Sequence, residues 1–128
     1  MANFFSRETL FLLVIFVSGE LMGNILGFHK TLMEYDTFMH FVGGALVASL
    51  LATYLMEKLK GFSYAVNVFF TLGIGALWEV FEFMSDKFVG FTLQPSLEDT
   101  MVDLVVVFSA AVVVNLIYWR KYRGTTIN

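Results

Sequence analysis

The chain has 128 residues, 58% of them hydrophobic, with a net charge of −3 and a mean hydropathy of +0.74, which is too apolar for a soluble domain of this length. Its eight lysines and arginines form no stripe interleaved with aromatics, which excludes a nucleic-acid-binding protein, and the absence of cysteine excludes disulfides and thiolate metal sites. Four apolar segments near 8–28, 36–57, 63–85 and 99–119, each about 20 residues and so able to cross ~30 Å of hydrocarbon, nearly exhaust the sequence. The expected architecture is one domain, an all-α integral membrane bundle of four transmembrane helices.

Segment one follows Ser6-Arg7-Glu8-Thr9 and runs from Leu10 to Gly27. Arg7, the apolar run Leu10 to Val17 and Val17-Ser18-Gly19 imitate a cleavable signal peptide, but Gly19, Gly23 and Gly27 continue a Gly-x-x-x-Gly ridge past the mock cleavage point. Such a ridge suits close backbone approach to another helix, so the segment is expected to be retained. Beside it lie Glu20 and Asn24, four residues apart and on one face. Asn24 suits an interhelical hydrogen bond, whereas Glu20 is an acid well inside the segment and harder to bury.

The first connection, Phe28 to Tyr35, is short and polar. Asp36 then opens segment two as its expected helix N-cap. His40 lies one turn deeper, where capping does not account for it, and projects with Asp36 from one face at i,i+4. Gly43, Gly44 and Ala48 thin this helix for close packing.

Met56 to Ser63 reads as a tight turn carrying Lys58 and Lys60. In segment three, Gly73, Gly75 and Ala76 leave room for a neighbour just before Trp78-Glu79-Val80-Phe81-Glu82-Phe83-Met84-Ser85-Asp86. At about 100° per residue, Glu79, Glu82 and Asp86 share an arc of roughly 80° on one face. A lipid-facing carboxylate costs a few kcal/mol, so this stripe should face protein, water or a cation. Trp78 and the phenylalanines around it read as interface anchors. Glu79 and Asp86 are about 10 Å apart along the axis, too far to share one ion, which leaves Asp86 at the mouth of the site.

The third connection holds Gly90, Gln94 and the chain's only proline, Pro95. Ser96-Leu97-Glu98-Asp99 resembles a capping box, and Asp103 lies one turn beyond it. Segment four continues to Trp119 and ends in Arg120-Lys121-Tyr122-Arg123, with residues 124–128 expected to fray. Arg7, Lys58, Lys60, Arg120, Lys121 and Arg123 share the side of the termini, against Lys30 and Lys87 opposite, so the positive-inside rule puts both termini in the cytoplasm of an inner-membrane protein.

On that topology Glu20, Asn24, Asp36, His40, Glu79, Glu82, Asp86, Asp99 and Asp103 all fall in the outer part of the bundle. Carboxylates and imidazole converging from several helices are what a bundle uses to hold divalent cations. The expected metal ligands are Asp36, His40, Glu79, Glu82, Asp99 and Asp103, with Glu20 and Asn24 beside them and Asp86 at the mouth. Oxygen and imidazole donors admit Mn, Fe, Mg or Zn.

Three motifs, Tyr35-Asp36-Thr37-Phe38-Met39-His40-Phe41-Val42-Gly43, Trp78-Glu79-Val80-Phe81-Glu82 and Asp99-Thr100-Met101-Val102-Asp103-Leu104, resemble the YjdF-like family of small inner-membrane proteins. A more distant similarity is to VanZ-like proteins, which share an Asp-x-x-x-His opening one helix; this chain departs from them at Gly43 and in having no arginine after the Glu79 motif. The resemblance implies a polytopic membrane protein without a defined activity. Three functions fit the residues: a metal-dependent membrane hydrolase acting on a lipid-linked or phosphorylated substrate, a cation or proton transporter, and a structural subunit stapled by metal. Transport asks for a polar path inward, and there the residues offer only Ser49, Thr53, Asn67, Thr71 and Asn115.

Overall fold

The computed structural model describes residues 6–59 and 63–122, so Lys60, Arg123 and the expected fraying at 124–128 lie outside the described residues. It is helical throughout its regular structure, with no strand among the described residues: α1 (Arg7–Leu26), α2 (Phe28–Thr31), α3 (Met33–Leu59), α4 (Ser63–Val89) and α5 (Leu97–Tyr122). Four of the five are long and apolar enough to cross a membrane. α2 is a single turn inside the connection that the sequence marks as merely polar.

Each boundary has a local cause. Ser6, extended at φ −67° and ψ 162°, accepts the Thr9 N–H on its Oγ at 3.1 Å, and Glu8 in the first turn complements the helix dipole. α1 stops at Gly27, which takes the left-handed φ of 73° and donates its N–H to the Gly23 carbonyl. Gly27 is therefore a C-cap and not the third member of a packing ridge. An added Cβ there meets nothing within 4 Å, whereas one at Gly23 falls 2.5 Å from His29 Nε2 and one at Gly19 falls 2.6 Å from Met39 Sδ. α4 stops in the same way at Gly90, φ 81°, whose N–H reaches the Asp86 carbonyl at 3.2 Å. Ser96 Oγ accepts the Asp99 N–H at 3.1 Å and starts α5, as the capping-box reading expects.

One boundary differs in a way that matters for the site. α3 begins at Met33, so Asp36 lies within its first turn and does not cap it. The chain leaves α2 through an extended Leu32 and re-enters helix at once. Asp36 is thereby free to use its carboxylate on side chains.

α3 is the centre of the bundle: half of its spanning stretch is buried, against 11% for α1. Ala45, Ala48 and Ala52 of α3 meet Ala110, Ala111, Val114 and Tyr118 of α5, with Leu12 and Val68 packed alongside. Small side chains let the two backbones approach, which is how apolar helices gain contact energy where lipid offers no hydrophobic drive. A Cβ added at Gly44 falls 3.1 Å from the Val107 Cα, and one at Gly75 falls 2.9 Å from Val107 Cγ1. Gly73, expected to make room for a neighbour, faces open space. Gly44→Leu should therefore lower the melting temperature in detergent by several degrees, while Gly73→Ala should hold or raise it through helix propensity, worth about 1 kcal/mol. Equal melting temperatures for Gly44→Leu and the wild type would contradict the α3–α5 contact.

α1 is the outlier of the bundle. Among the described residues its backbone lies close to α2 and α3 only, and not to α4. Its C-terminal half is tied to α3 by the Tyr35 hydroxyl, which donates to the Gly19 carbonyl at 2.7 Å. At the opposite end the Lys121 ammonium meets Glu8 at 2.9 Å. Both partners of that ion pair are about half exposed and the pair adds little stability, but it places the start of α1 beside the end of α5.

Candidate metal centre

At the end of the bundle opposite that pair, α3, α4 and α5 bring Asp36, His40, Glu79, Glu82 and Asp103 together. Two sets converge: Asp36, His40 and Asp103, and His40, Glu79 and Glu82, with one donor atom from each member within 4.8 Å of the others. Asp103 is 1% exposed, Glu79 5%, Glu82 7% and His40 9%, so these are interior groups and not a solvated acidic face. Acids at this depth without a compensating partner cost several kcal/mol each.

The imidazole of His40 sits between the two sets. Its Nδ1 lies 3.2 Å from the Asp36 carbonyl oxygen. A carbonyl can only accept, so Nδ1 carries the proton in that bond. The Asp36 and Asp103 carboxylates stand farther from the same nitrogen, at 3.7 and 3.6 Å. The other nitrogen, Nε2, lies 3.2 Å from Glu79 Oε1. Neither Nε2 nor Glu79 Oε1 has a hydrogen-bond partner, and both are buried. Two atoms that each sit about 2.1 Å from one ion are themselves about 3.0–3.4 Å apart, and that is the separation seen here.

The outward oxygens of the two glutamates are held by neutral donors. Trp78 Nε1 donates to Glu82 Oε1 at 2.8 Å. Gln94 Nε2 donates to Glu79 Oε2 at 3.3 Å and to Thr100 Oγ1 at 2.6 Å. Such outer partners fix the rotamer of a ligating carboxylate and are a regular companion of metal sites. Trp78, which the sequence marks as an interface anchor, does both: its ring stays 46% exposed while its N–H turns to the acid four residues on.

Asp86 accepts the N–H groups of Leu93 and Gln94 on its two oxygens, at 2.7 and 2.9 Å. It thus secures the loop after α4 and aims Gln94 at Glu79. Asp99 is buried at 7% exposure but belongs to neither converging set. Asn24 donates to the Glu20 carbonyl one turn back, at 2.8 Å, and is exposed.

Glu20 enters the site through a residue that the motifs do not mark. His29, carried inward by the turn after Gly27, places Nδ1 2.8 Å from Asp36 Oδ1 and Nε2 3.4 Å from Glu20 Oε2. The carboxylate accepts the Nδ1 proton, and Nε2 is again buried without a hydrogen-bond partner. Both histidines of the chain therefore present Nε2 to a glutamate, with Asp36 behind each ring. Asp36 is the hub of the arrangement, its side chain serving His29 and its carbonyl serving His40.

The sequence model of the predicted membrane protein family DUF2238 matches residues 3–124. An uncharacterized protein of Thermotoga maritima is 31% identical over 111 residues, covering 82% of this chain and 58% of that relative. The chain thus spans less than two thirds of that relative's length. No solved structure matches the chain.

Proposed function

We propose, for a chain that belongs to the DUF2238 family of predicted membrane proteins, that it is an inner-membrane protein whose buried site holds a divalent cation on His40 Nε2, Glu79 and Glu82. The YjdF-like resemblance of its motifs accords with that membership. One observation carries the reading: His40 Nε2 and Glu79 Oε1 lie 3.2 Å apart in a buried place, and one donor atom of Glu82 converges on the same point. The acids gathered here need positive charge at this point, which a divalent ion supplies in place of the second proton of an imidazolium. One imidazole and two carboxylates favour Mn, Fe or Zn over Mg, which takes oxygen almost alone. When bound, such an ion supplies Lewis acidity and lowers the pKa of a bound water, the chemistry a membrane hydrolase of a phosphorylated or lipid-linked substrate requires. The chain's own residues hold the ligands: Trp78 and Gln94 fix the glutamates, and the Asp36 carbonyl fixes the imidazole tautomer.

A second reading is favoured by a separate observation. Asp103 Oδ1 is buried without a hydrogen-bond partner, which suits a cation on Asp36 and Asp103, either in addition or instead. Elemental analysis of the detergent-purified protein tests both, since a protein free of Mn, Fe, Zn and Mg has neither site.

The orientation we propose has both termini in the cytoplasm and the metal site towards the outer leaflet. The split of basic residues supports it, and the Glu8–Lys121 pair gathers the two chain ends on one side. Reporter fusions at the C-terminus should be active with a cytoplasmic reporter and silent with a periplasmic one. The reverse pattern overturns the orientation.

A further inference from the structure

Because the backbones of α1 and α4 do not meet, a cavity of about 360 Å³ is left between them, floored by α3. Its walls are mostly apolar, with Phe16 of α1, Val47 of α3 and Ile74 of α4 among them. Its outer end is lined by Glu20, His29, Asp36, His40 and Glu82, and Glu79 lies next to this wall, its Oε1 3.2 Å from His40 Nε2. A chamber that is polar at one end and apolar along its length suits an amphiphile. The spanning stretches of α1 and α4 are the least buried of the four, so in a bilayer the gap between them opens towards acyl chains.

We propose that this cavity takes a phosphate-headgroup lipid from the bilayer, one hydrocarbon chain lying between α1 and α4 and the phosphate meeting the cation on His40, Glu79 and Glu82. The proposal rests on the cation reading above and gives that site its ligand class. The size of the chamber decides how much of the lipid is held. At the low end of the usual ~300–1,000 Å³ range for ligand pockets, it accommodates a headgroup and part of one chain, and the rest of the lipid stays in the membrane. The sign of charge points to phosphate. The lining acids repel an anion, so a phosphate enters only where a divalent ion has reversed the local charge. Recognition of the headgroup and occupancy by metal are thus one event.

The test uses the full chain in phosphatidylcholine nanodiscs, with phosphatidic acid carrying a photoactivatable group in one acyl chain. Diacylglycerol with the same chain serves as the phosphate-free probe, and the metal content of every sample is measured. With metal present, phosphatidic acid should label Phe16, Val47 or Ile74 at least tenfold more than diacylglycerol does. Ile74→Trp and, on a different helix, Val47→Phe should each cut that labelling at least tenfold while keeping wild-type metal content. Equal labelling by the two probes, or labelling confined to lipid-facing residues such as Phe69 and Phe108, overturns the proposal while leaving the cation in place. Inorganic phosphate retained by the metal-loaded protein while phosphatidic acid leaves Phe16, Val47 and Ile74 unlabelled overturns it too, by assigning the site to a water-soluble anion. A protein without metal that still labels selectively with phosphatidic acid overturns the cation reading and, with it, the coupling proposed here.

Discussion

Glu82→Gln should empty the metal site of the purified protein, and Glu79→Gln should do the same, whereas Glu8→Gln at the far end of the bundle should leave metal content unchanged. Each glutamine keeps the shape of the side chain and removes the charge that the ion needs. Glu82→Gln should also keep a partner for Trp78 Nε1, because the amide oxygen still accepts. Loss of metal from this variant is therefore a loss of charge and not of packing. The stability of the wild type should respond in parallel. A ligand present at a hundred times its dissociation constant adds about 2.7 kcal/mol, so chelation should lower the melting temperature by on the order of 10 °C. The glutamine variants should show no such response to chelator. Asp103→Asn separates the two candidate sets: retained metal places the ion on His40 Nε2 with the glutamates, while loss equal to that of Glu82→Gln places it on the aspartate side. A wild type whose melting temperature ignores both chelator and added Mn, Fe, Zn and Mg sinks the cation reading.

How far this site was legible in the sequence depended on the range of each contact. Asp36 with His40, Glu79 with Glu82, and the depth of Asp103 follow from helical spacing, because an acid one turn inside an apolar segment has no capping role to play. Trp78 with Glu82 follows the same i,i+4 rule, and was obscured only because an aromatic at a membrane interface has an ordinary explanation. His29 and Gln94 were out of reach. His29 faces Glu20 because Gly27 turns the chain through a left-handed residue, and Gln94 reaches Glu79, fifteen residues earlier, because Asp86 holds two amides of its loop. Contacts of that kind depend on the path of a connection, and the composition of Phe28 to Tyr35 or Gly90 to Ser96 carries no trace of that path. The start of α3 at Met33 was hidden for the same reason, since a polar stretch reads as a loop until its backbone is known.

The largest effect on stability alone is expected deeper in the bundle, at Asn67. The few polar residues in the halves of the helices away from the acidic cluster, which read singly as mild interruptions of apolar segments, converge into two hydrogen-bonded groups. Thr9 Oγ1 and Tyr118 OH lie 2.7 and 3.0 Å from Ser49 Oγ, with Ser6 Oγ 3.2 Å from the same tyrosine. Asn67 holds the other group. Its Nδ2 donates to the Ala48 carbonyl at 2.9 Å and to Asn115 Oδ1 at 3.3 Å, and its Oδ1 accepts the Thr71 hydroxyl at 3.1 Å. The side chain is 1% exposed and joins α3, α4 and α5 in one place. Removing it leaves the Thr71 donor and the Asn115 oxygen without these partners, each costing about 1–3 kcal/mol where no water replaces the bond. Against that, single interhelical bonds in bilayers average only about 0.6 kcal/mol, because the membrane-inserted reference state also finds partners. Asn67→Leu should therefore destabilise by about 2–3 kcal/mol, with a clear fall in melting temperature. Asn24→Leu, which loses one exposed bond to its own helix, should show none. Metal content should survive in Asn67→Leu at permissive temperature, since the asparagine touches no ligand. A variant as stable as the wild type would show that these bonds only satisfy groups that the small-residue packing of α3 on α5 has already brought together.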